Sequence, residues 1–269
     1  MTDVRAAFQG ETPVHGRMGV SARIEDDELV LQVEPDEHLL VHGVLRTSVL
    51  AYLVDALAGI PVDIGIDDWM LTTDLSIRSV PEPAPPRVVG RSSVLRRGRR
   101  SSASLVELTA DDGTTWGTGA AGFARVTRKP DDPPKPMVTL ELIAEGLRAD
   151  TRLDDPLREA AGIRTVDARD GVVEMEIGPL VQNPAGTLQG AMVALVAEAA
   201  AEDLVTTRTG TPVVVTDLDI RYLARTGAGP IRSRARPISD GPDAAIEVVL
   251  VDTSTDAITT FVYARTVSV

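Results

Sequence analysis

At 269 residues, 43% hydrophobic and 25% charged, the chain has the length of about two globular domains, each able to bury a core of its own. It contains no cysteine, which excludes disulfides, thiolate nucleophiles and Cys-ligated zinc; its three histidines, His15, His38 and His42, form no HExxH, so no metal site is expected. The net charge of −13 sets the surface against nucleic acid and anionic membranes, and neither is an expected partner.

The first thirteen residues lack the apolar stretch of a signal peptide, and the most apolar run, Ala191–Ala201, is interrupted by Glu198 and too short to span a bilayer. A cytoplasmic protein is expected. Alternation predicts a strand hairpin over 19–24 and 29–33, with Asp26-Asp27 at the turn. A helix follows over 44–58, apolar on nearly every face, so it must be wrapped rather than laid on a surface. Three or more strands rich in Val, Ile and Thr come next, with turns such as Asp111-Asp112-Gly113. Arg128–Pro136, dense in proline and charge, reads as an extended linker, and 138–148 shows helical spacing. The same order then returns: a hairpin over 163–167 and 172–177, an apolar helix over 188–201, and further strands with a turn at Ser239-Asp240-Gly241. The expected boundaries are a first domain at 1–127, a linker at 128–137 and a second domain at 138–269.

The return is a duplication. Thr73–Arg78 reads TDLSIR and Thr216–Arg221 reads TDLDIR, an offset of 143 residues. The same offset places Asp55 on Glu198, Gly43 on Gly186, Leu45 on Leu188 and Gly19 on Gly162, without a gap from about residue 18 to 78. Phe123-Ala124-Arg125 resembles Tyr263-Ala264-Arg265 at an offset of 140, so a late loop is three residues shorter in the second half. An antiparallel sheet curled around one helix, twice over and side by side, gives one extended sheet with both helices on its concave face.

This α+β layout resembles the hotdog fold, as a tandem or double hotdog. Asn183–Ala191 reads NPAGTLQGA and resembles the PaaI-type acyl-CoA thioesterase motif N-x-x-G-x-x-H-G-G, which has an acid nine residues after its histidine. Asn183, Gly186 and Gly190 match, and Glu198 sits nine after Gln189; Gln189 replaces the histidine and Ala191 the second glycine. In the first half Asp55 holds the acid position, while Thr47, Arg46 and Leu40 stand where the glycine, histidine and asparagine would be. The resemblance implies composite sites, with a helix N-terminal N–H and a nearby Asn from one half and a carboxylate from the other. One site joins Asn183 and Gly190 to Asp55. The other joins Glu198 to Arg46, Thr47 and Leu40 and has lost its polar partners. Thr73 and Thr216 match a hydroxyl position that accompanies the carboxylate. The implied activity is hydrolysis of an acyl-CoA or acyl-carrier thioester, with the CoA thioester as substrate, no separate cofactor, and a homodimer of double-hotdog chains as the assembly.

The chemistry suits these residue types. A free N–H at a helix N-terminus is aimed to hold an oxyanion, and glycine lets the carbonyl approach it. Asn183 would add a hydrogen bond or orient water, and Asp55 would act as nucleophile or as base toward water. A carboxylate on an apolar helix should have a raised pKa. Each residue also has a structural alternative: Asp55 bonded to Tyr52 or Arg46, Glu198 bonded to the partner helix, Asn183 and Gly186 as a turn, Gly190 as a close helix contact. Arg96, Arg97, Arg99 and Arg100, around Gly98, read either as a solvated hairpin tip or as a seat for CoA phosphates. Gly117–Gly122 matches G-x-G-x-x-G but is followed by a strand-like run rather than a helix, which excludes a dinucleotide fold. No G-x-S-x-G is present, and neither central helix carries the histidine a hydratase would need. The unequal halves and the missing histidine leave a non-catalytic acyl-CoA-binding or scaffold protein as the alternative.

Overall fold

The computed structural model describes residues 12–129, 135, 139–147, 151–226 and 228–269. Most of the expected linker at 128–137 lies outside these residues. The first half runs as a hairpin of β1 (Val20–Glu25) and β2 (Glu28–Val33), a small ribbon of β3 (Leu40–Val41) and β4 (Val44–Leu45), the helix α1 (Thr47–Asp63), and then β5 (Trp69–Ser79), β6 (Val88–Arg97), β7 (Ser101–Ala110) and β8 (Thr115–Val126). Short helices α2 (Leu140–Gly146) and α3 (Leu157–Ala160) lead into the second half. There β9 (Arg164–Asp167), β10 (Val172–Met175), α4 (Gly190–Thr209), β11 (Val213–Tyr222), β12 (Ile231–Pro237), β13 (Ala245–Asp252) and β14 (Ala257–Ser268) repeat the order.

Asp26 and Asp27 both take left-handed backbone angles, φ 50° and 65°, the conformation that lets a two-residue turn follow the twist of its strands. The central helices start later than the apolar pattern suggests because Val44-Leu45 pairs with Leu40-Val41 and Leu188 bridges to Gln182. They also run further, to Asp63 and Thr209. Leu204 and Val205 remain buried, and α4 stops only at Gly210, whose φ of 73° closes the helix.

Twelve strands form one sheet in the order β1-β2-β6-β7-β8-β5-β11-β14-β13-β12-β10-β9. The order is palindromic under the duplication, and the two repeated hexapeptides are the joint. Asp74 pairs with Arg221, Ser76 with Asp219 and Arg78 with Asp217, so an approximate two-fold axis passes through the middle of the β5–β11 ladder. Arg78 bridges this seam, 3.1 Å from Asp217 and 2.7 Å from Asp219. Alternate residues of the joint, Leu75 and Ile77, Leu218 and Ile220, are fully buried with α1 and α4, which pack against each other. One continuous apolar cluster spans both halves. Burying each such Leu or Ile is worth about 1.5–3 kcal/mol. A β-bulge interrupts β5 at Thr73 and a matching one interrupts β11 at Thr216.

Candidate active site

β5 and β11 stay paired only between Asp74↔Arg221 and Arg78↔Asp217. Beyond Tyr222 the chain turns off, with the Leu223 N–H bonded to the Thr259 carbonyl, while β5 continues beside β8. The fork opens a cavity of about 240 Å³ whose walls include Asp55, Thr72, Asn183, Gly190, Tyr222 and the loop 223–226.

Asp55 reaches this cavity from α1. Its Oδ1 accepts a hydrogen bond from the Thr72 hydroxyl at 2.7 Å. Its Oδ2 faces the first residue of α4: a Cβ placed on Gly190 would lie 3.0 Å from Asp55 Oδ2 and 3.1 Å from the Tyr222 hydroxyl. Burial pushes the Asp55 carboxyl above its ordinary value, against the lowering effect of the Thr72 bond.

The first turn of α4 leaves one N–H for a ligand. Gln189 caps the helix, its Oε1 accepting from Ala191 N at 2.5 Å and its carbonyl accepting from Met192 N and Val193 N at 2.9 and 3.1 Å. Among the described residues nothing takes up the Gly190 N–H, and the helix dipole adds positive potential there. Asn183 shapes the approach: its Oδ1 accepts from Ala185 N, Thr187 N and Thr187 Oγ1 at 3.0 to 3.2 Å. None of these bonds uses its amide nitrogen.

The two-fold axis supplies an internal control. At an offset of 143 residues, Glu198 replaces Asp55, Thr47 replaces Gly190, Ser48 replaces Ala191, Val215 replaces Thr72 and Ser79 replaces Tyr222. Glu198 is longer by one methylene, and its carboxylate closes the gap. Oε1 accepts from Thr47 N, the first residue of α1, at 2.8 Å, and Oε2 accepts from Ser48 Oγ at 2.6 Å. Arg46 Nη1 lies 3.6 Å from Glu198 and donates to Glu202 at 3.1 Å. Glu198 is 0% exposed. The protein's own carboxylate occupies the helix N-terminus of this second centre, whereas the first stays open.

No family model and no curated protein matches the chain. Solved structures do. A protein with hot dog fold from Alicyclobacillus acidocaldarius superposes with a TM-score of 0.61 at 11% identity, covering 96% of this chain and 99% of that one. The fold is a double hotdog. Among the structures similar to it, the acyl-ACP thioesterase from Bacteroides thetaiotaomicron matches with a TM-score of 0.57 at 10% identity, covering 94% of this chain and 99% of that one. The 12:0-ACP thioesterase from Umbellularia californica matches with a TM-score of 0.61 at 9% identity over 97% and 100% of the two chains.

Within the double hotdog, several expected site residues take other places. Thr73 and Thr216 do not bond the carboxylates; as bulge residues they donate to their neighbours Asp74 and Asp217, at 2.9 and 2.7 Å. The bulge changes which side chains of β5 face the helix, and this brings Thr72 rather than Thr73 to Asp55. Glu198 bonds its partner helix, as its structural alternative had it. Arg96, Arg97, Arg99 and Arg100 are exposed and do not line the cavity; Arg97 donates to the Pro61 carbonyl at 2.8 Å. Their hairpin does adjoin its wall, since the Arg100 carbonyl accepts from Arg125 N, between the lining residues Ala124 and Val126. Thr72 and Tyr222 were missed. The offset itself carried a signal for both, because each falls where the halves differ, Thr72 on Val215 in polarity and Tyr222 on Ser79 in size. Among the described residues no group of acidic or histidine side chains is placed to hold a metal ion, and no helix is long and apolar enough to cross a membrane.

Proposed function

We propose that this protein hydrolyses an acyl thioester at the single centre formed by Asp55 and Gly190. The observation that carries this reading is the asymmetry of two related sites. In one, a carboxylate fills the helix N-terminus; in the other, a shorter carboxylate stands off from an unclaimed N–H and leaves an open cavity. The thioester carbonyl oxygen docks on the Gly190 N–H, which then holds the negative charge of the tetrahedral intermediate. Asp55 acts through Oδ2, the oxygen that Thr72 leaves free, either by taking a proton from water or by attacking the carbonyl carbon. In a single turnover in oxygen-18 water, label found in the Asp55 carboxylate would establish attack by Asp55, with water then opening the mixed anhydride at the aspartyl carbon. Collapse of the intermediate breaks the C–S bond and releases the thiol. Leu71, Leu188 and Val193, which line the cavity, receive the acyl chain.

The thioester is that of coenzyme A, whose phosphates lie along Arg96, Arg97, Arg99 and Arg100 at the hairpin beside the cavity. The test is thiol release from an acyl-CoA panel running from acetyl to palmitoyl. Turnover is expected for at least one chain length, falling about 10²–10⁴-fold in Asp55→Asn, the range of a lost general base. A second reading, acyl-CoA binding without hydrolysis, is favoured by one observation: Gln189, at the histidine position of the motif, is turned back to cap α4. Saturable acyl-CoA binding with no thiol release from any substrate would establish that reading instead.

A further inference from the structure

We propose that Tyr222 is a third catalytic group of this centre, donating a hydrogen bond from its hydroxyl to the charge that develops on the thioester. The inference rests on the thioesterase reading above and goes beyond it, since that reading uses only Asp55 and the Gly190 N–H.

The geometry comes from the end of the seam. Tyr222 is the last residue of β11 and lies one step past the final β5–β11 pair, where the sheet forks around the cavity. Its hydroxyl and Asp55 Oδ2 approach the same point above Gly190, at 3.1 and 3.0 Å from where a side-chain carbon would begin. An acyl group seated there has the carboxylate and the phenol both within reach. The hydroxyl's partner in the structure is the Gly190 carbonyl, at 3.2 Å. That carbonyl lies in the first turn of α4, where it also accepts the helical bond from four residues on, so the fold does not depend on the phenol to satisfy it. The bond is long enough to be exchanged for a stronger one to an oxyanion. Burial and the neighbouring Asp55 charge both hold the phenol protonated, well above its ordinary range, so it is a neutral donor throughout the working pH. The closed centre has no such group: Ser79 stands at the equivalent position and its hydroxyl donates to the Thr216 carbonyl at 3.0 Å.

In the step, either a water oxygen, its proton passing to Asp55 Oδ2, or Asp55 Oδ2 itself bonds to the carbonyl carbon, and the carbonyl π pair moves onto oxygen. The Gly190 N–H and the Tyr222 O–H hold that oxygen without transferring a proton. The pair then re-forms the double bond as the C–S bond breaks, and the sulfur leaves with its electrons; where Asp55 was the attacking group, water then opens the acyl–aspartyl anhydride to free the acid. The test is Tyr222→Phe, assayed on the best acyl-CoA substrate. The expected result is a fall in kcat of about 10²–10³-fold, the size of one lost oxyanion donor, with KM within about threefold and the pH profile of Asp55 retained. A packing role alone would lower the thermal midpoint and leave kcat in place. Wild-type turnover preserved in Tyr222→Phe overturns this inference and leaves the thioesterase reading intact. A wild type that releases no thiol from any substrate overturns both.

Discussion

One methylene separates the two acidic residues at related positions. Glu198 spans the distance to the opposing helix and accepts hydrogen bonds from Thr47 N and Ser48 Oγ; Asp55 does not reach, and Thr72 holds only one of its oxygens. Two consequences belong to Asp55. Because burial raises its carboxyl above 3.8, the folded state holds that proton more tightly than the unfolded chain. The stability this gives is complete below the unfolded pKa and is lost as pH rises through the folded one. At neutral pH the buried charge is therefore a net cost, and Asp55→Asn should raise the thermal midpoint while lowering turnover about 10²–10⁴-fold; at this chain size each kcal/mol recovered moves the midpoint by roughly 2–4 °C. Calorimetry at pH 7 checks this, and a lower midpoint would contradict it. In the wild type, kcat should rise with pH along a limb centred above the ordinary aspartate value, since the ionised form is the active one. Gly190→Ala is the companion test. Its methyl falls between Asp55 and Tyr222 at a site where the backbone angle permits alanine, so activity should drop by at least about tenfold without loss of fold, alanine being the better helix former.

The elements that matter are the first turns of the two long helices, since each points at the acid carried by the other. At α1 the Glu198 carboxylate is a structural cap. Removing it in Glu198→Ala leaves Thr47 N and Ser48 Oγ without their buried acceptor while Arg46 keeps Glu202, a loss of about 2–4 kcal/mol at about 1–3 kcal/mol for each unsatisfied group. Chemical denaturation should show it, and a change below about 1 kcal/mol would contradict the capping role. At α4 the same place is open to the cavity, where the proposed thioester would dock. The β6–β7 hairpin carries a separate expectation. Arg99→Ala with Arg100→Ala should raise KM for an acyl-CoA several-fold and leave hydrolysis of the matching acyl-pantetheine, which lacks the nucleotide, unchanged. Equal effects on both substrates would remove the phosphate role.

For the whole molecule, the duplication was the most legible feature of the sequence, and it fixed more than fold class. The two hexapeptides TDLSIR and TDLDIR turn out to pair with each other across the seam, so the strongest repeat marks the axis of the molecule. The central helices were readable because a run such as Ala191–Ala201 can only be wrapped, while their first residues were not, because a bridge at Leu188 and the ribbon at Val44 depend on pairing with distant backbone. The pairing of Asp55 with Gly190 was readable from motif and offset, and the fold does bring the two to one cavity. Thr72 was not, because a bulge shifts the face of β5 by one residue and apolar alternation does not reveal where a bulge falls. Nor did the sequence reveal that Glu198 closes its own site, which depends on a distance. The shared ladder and common core also imply that the halves unfold together. Trp69 and Trp116 both lie in the first half, so their fluorescence reports that half while far-ultraviolet circular dichroism reports the whole chain. The two denaturation curves should coincide, and separate midpoints would contradict a single cooperative unit.

The central claim is that a double hotdog with two related centres works through one. Side-by-side thiol-release assays of Asp55→Asn and Glu198→Gln on the best acyl-CoA substrate test it most directly. Turnover lost in Asp55→Asn and kept within about threefold in Glu198→Gln, whose amide oxygen still accepts from Thr47 N while its NH2 can donate to the Ser48 hydroxyl, is the expected result. Turnover kept in Asp55→Asn and lost in Glu198→Gln would place the chemistry at the centre described here as closed, and would contradict the account.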